Sequence, residues 1–189
     1  LINDGAIGEV RMIQSDFGFR TEVNPSGRLF DKNLAGGGLL DVGVYCVSLS
    51  VMLLGAAHAA TGLADIGSTG VDEQAAAVMS FDGGRLAYFS TGVRTSTPME
   101  ATILGTDGWI RIESPWFAAN KITLHKGGKS ETIDVPFVGN GYNYEAAEVG
   151  RLIREQKIES DIMSWTDTMR TMEAMDRIRA VWGLRYPME

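Results

Sequence analysis

The segment GGGLLDVGVY, residues 36–45, places three glycines directly before an apolar stretch that predicts a helix of about four turns ending at Gly55. Asp41 and Tyr45 stand four residues apart in this segment. Side chains with that spacing project from the same side of a helix, so the two groups can reach one shared space. A carboxylate and a phenol placed in this way can transfer a proton to or from a carbonyl or an alcohol.

The composition argues against several classes of protein. The chain has 189 residues, of which 44% are hydrophobic and 22% charged, and these proportions are typical of a globular domain. A net charge of −7 without any cluster of Lys or Arg argues against nucleic-acid binding. The longest apolar run, residues 42–57, is too short and too interrupted for a membrane span. We therefore expect neither a nucleic acid nor a membrane as partner.

The cysteine and histidine content predicts no metal site. The single cysteine, Cys46, excludes an internal disulfide and suits the reducing cytoplasm, where we expect the protein. His58 and His125 have no second histidine or carboxylate at ligand spacing. Because Cys46 points about 100° away from Tyr45 around the helix, we expect it to be buried and not nucleophilic.

The rest of the chain predicts a sheet of consecutive hairpins. One strand-like segment, residues 8–20, precedes the helix, and signals such as Asp82-Gly83-Gly84 and Thr106-Asp107-Gly108 mark turns between later strands. Two helices, at about 144–156 and 166–182, close the chain. The strand-like segments after the first helix are residues 57–66, 74–81, 85–93, 99–104, 109–113, 121–126 and 130–135.

Strands that follow one another as hairpins, without alternating helices, form antiparallel sheets. We therefore predict an α+β fold, a large and predominantly antiparallel sheet with helices on one face, and a single domain over residues 1–189. Segments 75–79 and 101–104 carry apolar or small side chains on both faces. A sheet of this kind tends to bury its second face as well.

The triple glycine does not predict a nucleotide-binding loop. The dinucleotide fingerprint requires G-x-G-x-x-G between a strand and a helix, and here Asp41 stands where its last glycine would be. A phosphate-binding P-loop requires a following Gly-Lys-Ser/Thr, which this segment lacks. Asp41 would also repel a phosphate at the helix N-terminus.

Residues 36–47, GGGLLDVGVYCV, resemble the signature of the C-terminal domain of the Gfo/Idh/MocA oxidoreductases. Within that family the segment is most similar to the dihydrodiol dehydrogenase and glucose–fructose oxidoreductase branch. The segment GAIGEV, residues 5–10, is similar to the start of that domain, and residues 141–149 and 183–187 resemble its C-terminal helices and tail. The resemblance covers the whole chain in the right order.

The resemblance implies a glyceraldehyde-3-phosphate dehydrogenase-like C-terminal domain of a two-domain enzyme. Such enzymes bind NAD or NADP mainly through an N-terminal Rossmann domain, which also supplies a catalytic lysine from a Glu-Lys-Pro motif. This chain contains neither the fingerprint nor that motif. We expect it to be the substrate-binding and catalytic half, inactive alone, of an oxidoreductase that interconverts a hydroxyl and a carbonyl on a sugar, polyol or cyclic diol.

The same resemblance assigns roles to residues of the segment. Tyr45 would be the general acid in reduction and the general base in oxidation, and Asp41 would orient the substrate or the lysine. Gly37 and Gly38 would give the cofactor room to approach. Simpler interpretations stay open: Asp41 as a helix cap, Tyr45 as a core tyrosine with a satisfied hydroxyl, and the glycines as a tight turn.

Further candidates for substrate binding lie in loops and at a helix start. Arg28 and Phe30 precede the glycines, and Trp116, which is followed by Phe117, and Tyr144 come later in the chain. Arg28 is equally consistent with a solvated loop arginine. Trp116 and Phe117 are equally consistent with aromatic side chains that cover an edge of the core. The family also implies a homodimer or higher homo-oligomer through the open sheet face. The alternative function is a non-catalytic ligand-binding or dimerisation module that retains the fold.

Overall fold

A single eight-stranded sheet forms the centre of the computed structural model, which describes all 189 residues. The strands lie in the order β2-β3-β4-β1-β5-β6-β7-β8, and every neighbouring pair is antiparallel except β1 and β4. The large antiparallel sheet is thus confirmed. The strands are β1 (Val10–Gly18), β2 (Ala59–Ile66), β3 (Asp72–Phe81), β4 (Arg85–Gly92), β5 (Ala101–Gly105), β6 (Gly108–Ile112), β7 (Lys121–Lys126) and β8 (Lys129–Asp134).

Three α-helices accompany the sheet: α1 (Val44–Leu54), α2 (Tyr142–Arg154) and α3 (Trp165–Trp182). The predicted first helix is not regular throughout, because a π-helical turn, Leu39–Gly43, precedes α1. Asp41 lies in this wider turn and Tyr45 in α1, so the regular α-helical spacing assumed between them does not hold.

The main core lies between one face of the sheet and helices α1 and α3. Strand residues that alternate towards this face pack with both helices. The buried face of α3 is formed by Thr171, Ala174, Met175 and Ile178, which follow the i, i+3, i+4, i+7 spacing. Ser164 begins this helix with a capping box that also involves Asp167.

Helix α1 is apolar on most of its sides because it runs through the core. By length and composition alone the stretch Lys32–Leu54 is apolar enough to cross a membrane, but 61% of its most apolar window is buried inside the protein. Burial of this kind is what a core helix shows. The apolar run is thereby explained by packing.

The opposite face of the sheet carries no packed helix and is called the open face below. Thr61, Val78, Tyr88, Gln14 and Thr102 lie side by side across five strands on this face. Leu63 projects from its edge and is 83% exposed. Helices therefore cover one face only, as the sequence predicts.

The burial of α3 gives a direct test of the core. Ile178 is 0% exposed and Ile158 is 79% exposed. We expect Ile178→Ala to lower the free energy of unfolding by about 2–5 kcal/mol, because it removes buried methyl groups and leaves a cavity. Ile158→Ala is the matched control and should change it by less than about 0.5 kcal/mol. Urea denaturation followed by circular dichroism measures both, and equal losses would contradict this core.

Candidate active site around Tyr45

The glycine turn, Gly36–Gly38, is fixed by side chains from distant parts of the chain. The backbone N–H of Leu39 donates to Asp72 Oδ2 at 2.6 Å, and the Tyr186 hydroxyl donates to the Gly36 carbonyl at 2.7 Å. The Thr91 hydroxyl donates to the Gly38 carbonyl at 3.3 Å. The start of the core helix therefore takes its polar partners from strands β3 and β4 and from the C-terminal tail.

Gly37 and Gly38 do not make room for a cofactor, and this corrects the role that the sequence suggested for them. Both are buried. Gly37 has a φ of +119°, and a Cβ there would lie only 2.2 Å from Asp72 Oδ1. The space beside Gly37 is occupied by the Asp72 carboxylate, so glycine is required at residue 37 for packing and backbone conformation.

Asp72 is a fully buried carboxylate at the N-terminus of the core helix. Loss of solvation by burial raises its pKa from 3.8 to about 6, while the Leu39 N–H and the charge of Arg179 act in the opposite direction. A negative charge at this position is favoured by the helix dipole. The helix N-terminus already holds an anionic group from within the chain, which agrees with the absence of a phosphate loop.

Asp41 is not the helix cap, because that position is taken by Asp72. Its carboxylate pairs with the Arg28 guanidinium instead. The Asp41 side chain is 18% exposed, whereas that of Arg28 is 65% exposed. The structure thus brings two predicted site residues together. They form an ion pair near the start of the helix.

Tyr45 is not a core tyrosine, since it is 46% exposed. Its ring meets Phe17 edge-on at a centroid distance of 5.3 Å and Phe117 at 5.9 Å. Phe17 and Phe117 stack on each other at 4.3 Å with an interplanar angle of 9°. No hydrogen bond within the chain reaches the Tyr45 hydroxyl. The ring is therefore oriented by aromatic contacts, and its hydroxyl is free for an outside partner.

Of the two aromatic residues after Pro115, Phe117 and not Trp116 contacts Tyr45. Trp116 packs against the main core, and its indole N–H donates to the Asp16 carbonyl at 2.9 Å. It lies 6.2 Å from Phe117, edge to face. Trp116 thus supports the aromatic platform, which we define as Phe17 and Phe117.

The remaining candidates lie outside this group. Phe30 is 2% exposed, so it is a core residue and does not line an accessible pocket. Tyr144 is exposed at the start of α2, where its hydroxyl oxygen accepts a hydrogen bond from the Val138 N–H at 2.9 Å. No aromatic contact joins it to Tyr45. Cys46 is buried, as the sequence predicts, and burial raises the pKa of its thiol to about 12.

Sequence reasoning missed Phe17 as a site residue. The sequence predicts only a strand for this residue, and its contact with Tyr45 follows from the order of the strands in the sheet. Strand β1 lies between β4 and β5, and β6 follows β5, so the end of β1 and the loop after β6 meet near the start of α1. Nothing local in the sequence indicates this arrangement.

Comparison with known proteins finds one matching family model and several similar proteins. The model of the GFO/IDH/MocA C-terminal domain matches residues 1–111. The chain is 32% identical over 197 residues to trans-1,2-dihydrobenzene-1,2-diol dehydrogenase of Xenopus tropicalis, over 99% of this chain and 58% of that protein. It is 31% identical over 160 residues to the scyllo-inositol 2-dehydrogenase (NADP(+)) IolU of Bacillus subtilis, over 85% of this chain and 48% of that protein.

Solved structures share the fold. The aldose-aldose oxidoreductase from Caulobacter crescentus, complexed with glycerol, has a TM-score of 0.81 at 20% identity, over 96% of this chain and 56% of that one. KijD10, a 3-ketoreductase from Actinomadura kijaniata in complex with NADP and TDP-benzene, has a TM-score of 0.80 at 17% identity, over 96% and 56%. The chain spans about half the length of the curated relatives it matches.

The raised pKa of Asp72 predicts a specific pH dependence of stability. Between about pH 4 and pH 6 the folded chain retains a proton that the unfolded chain has released, so the free energy of unfolding falls as the pH rises. The two pKa values, 3.8 and about 6, correspond to a fall of about 3 kcal/mol. Asp72→Asn cannot titrate, and its stability should lack this fall.

Asp167→Asn is the matched control, because hydrogen bonding to Ser164 lowers the pKa of the Asp167 carboxyl. Asp167 therefore adds stability above its unfolded pKa and loses it at lower pH, the opposite direction from Asp72. Urea unfolding at a series of pH values from 3.5 to 7 measures the three proteins. Parallel curves for the wild type and Asp72→Asn would contradict the buried, ionised carboxylate.

Proposed function

We propose a function for this chain on one premise: it belongs to the GFO/IDH/MocA family, as a C-terminal domain. We infer that it is the substrate-binding and catalytic half of an NAD(P)-dependent oxidoreductase that interconverts a hydroxyl and a carbonyl on a sugar, polyol or cyclic diol. The observation that carries this proposal is Tyr45, whose exposed hydroxyl has no partner in the chain beside a rigid aromatic platform.

Tyr45 is the group that would move the proton. Its hydroxyl would protonate the forming alkoxide oxygen in reduction and remove the hydroxyl proton in oxidation. A phenol can act as a base at neutral pH when a nearby cation lowers its pKa. In the family this cation is a lysine of the Rossmann domain. The NAD(P) cofactor, when bound, would donate or accept the hydride.

No residue of this chain is assigned to the cofactor. The predicted contacts at Gly37 and Gly38 do not fit it, because both glycines are buried within the chain and the Asp72 carboxylate fills the space beside Gly37. We therefore assign NAD(P) binding to the domain that relatives carry in addition. The use of NAD(P) is supported by the relative from Bacillus subtilis, which is a scyllo-inositol 2-dehydrogenase (NADP(+)).

The surroundings of Tyr45 favour a ring-shaped substrate with hydroxyl groups. Phe117 stacks on Phe17 and is 40% exposed, so it offers an apolar ring that suits the apolar face of a sugar or cyclic diol. The Arg28–Asp41 pair, at the start of the same helix, would supply donors and an acceptor for substrate hydroxyls. Asp41 would orient the substrate or the lysine, as the family implies.

We further propose that the chain forms a homodimer or higher homo-oligomer through the open face. Leu63, Val78 and Tyr88 are exposed there on neighbouring strands. A sheet face that exposes large apolar side chains without a covering layer is a common interaction surface. We also propose that residues 1–189 form a single domain and that the protein is cytoplasmic. The single, buried Cys46 is compatible with a reducing compartment.

Tyr45→Phe in the full-length protein tests the catalytic role. With NADP+ and a panel of a cyclic diol, an inositol and an aldose, we expect kcat to fall by about 10²–10⁴, because the proton acceptor is lost while the ring is kept. The Kd for NADPH should stay within about twofold, as no cofactor contact is removed.

Tyr88→Phe is the matched control, since its hydroxyl donates to Gln14 on the opposite face of the sheet. It should leave kcat within about twofold of the wild type. Retention of activity by Tyr45→Phe would refute the role of Tyr45. Absence of turnover in the wild type with every substrate would instead favour the non-catalytic ligand-binding or dimerisation module.

Sedimentation velocity of the chain at micromolar concentration tests the oligomer. We expect a dimer or larger species, and Leu63→Lys should shift it towards monomer because a charge would be buried in the interface. Ile158→Lys, at a similarly exposed isoleucine away from the sheet, is the control and should leave the oligomer intact. A wild-type monomer under these conditions would refute the proposal.

A further inference from the structure

The C-terminal tail, residues 183–189, reaches the glycine turn although the two are far apart in sequence. Tyr186 is buried, and its hydroxyl donates to the carbonyl of Gly36 at 2.7 Å. Leu184 packs with Val71 and Tyr186 in a small separate core. The tail is therefore packed into the structure and contacts the turn at the start of the core helix.

Charged groups fasten this tail to α3. The Arg179 guanidinium lies 5.1 Å from the centre of the Tyr186 ring and pairs with Asp176 and Glu189. Glu189 Oε2 also accepts a hydrogen bond from the Tyr186 N–H at 3.2 Å. Arg179 thus holds the Tyr186 ring and Glu189 holds its backbone, while the hydroxyl points to the turn.

Asp72 fixes the same turn from strand β3. It accepts the Leu39 N–H through Oδ2, and its Oδ1 is buried without a hydrogen-bond partner. The titratable groups that face it are Arg179 and Tyr186, and the pKa of Tyr186 is raised by burial and, to a smaller extent, by the Asp72 charge. A buried carboxylate with one oxygen unsatisfied is costly for stability, so packing alone gives no reason for an acid at this position.

The turn has no polar side chain of its own with which to begin the helix. Gly38 makes no side-chain cap, and the following π-helical turn contains Asp41. One turn later α1 presents Tyr45. The positions of both groups therefore depend on the partners that Leu39 and Gly36 find outside the segment.

We propose that Asp72 and Tyr186 are positioning residues, which fix the glycine turn and thereby set where the Tyr45 hydroxyl stands relative to the substrate. Neither touches the reacting atoms. The expected effect on turnover rests on the proposed function. The structural role of the two residues, which is to fix the turn, does not depend on it. A misplacement of about 1 Å at a reacting group can lower a rate by about a hundredfold.

Tyr186→Phe tests this directly, because it removes one hydroxyl and keeps the ring beneath Arg179. Asp72→Asn is the second variant. The matched control is Ser50→Ala, which deletes another buried hydroxyl that donates to a backbone carbonyl, that of Cys46, at 2.8 Å in the same helix. Thermal unfolding shows whether the three variants lose comparable stability.

Two readouts are compared across the variants. Amide hydrogen exchange of Leu39, followed by NMR, should become about tenfold faster in Tyr186→Phe and Asp72→Asn and stay within about twofold in Ser50→Ala. In the full-length enzyme, kcat should fall about tenfold or more in the first two with the KM for NADP(H) unchanged, and should stay within about twofold in the control.

The outcomes separate this inference from the proposed function. Unchanged exchange of Leu39 in both variants would refute the inference, whether or not the enzyme turns over. Faster exchange with an unchanged kcat in an active enzyme would refute it too, since the turn would then not position Tyr45. An inactive wild type would overturn the proposed function, while the exchange of Leu39 would still decide whether these residues fix the turn.

Discussion

The hydrogen bond between the buried Asp72 carboxylate and the Leu39 N–H is the constraint on which the site depends. It places a negative charge at the positive end of the core helix, where the helix dipole favours it. The carboxylate also occupies the volume that a Cβ at residue 37 would need. Three features that look separate in the sequence, the glycines, an isolated aspartate and a terminal tyrosine, therefore form one structural unit.

The sheet separates the two proposed activities of the chain onto opposite faces. Helices α1 and α3 fill one face and bring Tyr45 to the end of β1, whereas the other face is open and is the one proposed for association. Insertion of β1 between β4 and β5 is decisive for this arrangement, because it carries Phe17 to the start of α1. A purely sequential meander would have placed β1 at an edge of the sheet.

The candidate site was only partly predictable from the sequence. Tyr45 and Asp41 were recognised, because a family resemblance adds to what their spacing suggests. The partner of Asp41 is Arg28, for which the sequence suggests only a contact with substrate. Phe30 was assigned to a pocket but is buried, since the loop before the glycines folds its ring into the core. Loop side chains lack the periodicity that separates buried from exposed positions in strands and helices.

The sequence by itself determined the elements of this protein. Alternating apolar residues and glycine turns specified the strands, and helical periodicity specified α3, because these signals are local and repeat along the chain. Only the tertiary structure decided what the glycines are for, which aromatic ring meets Tyr45, and which carboxylate caps the core helix. Those contacts join residues as much as 150 positions apart, as between Tyr186 and Gly36. No local pattern encodes them, because they arise from the order of strands in the sheet.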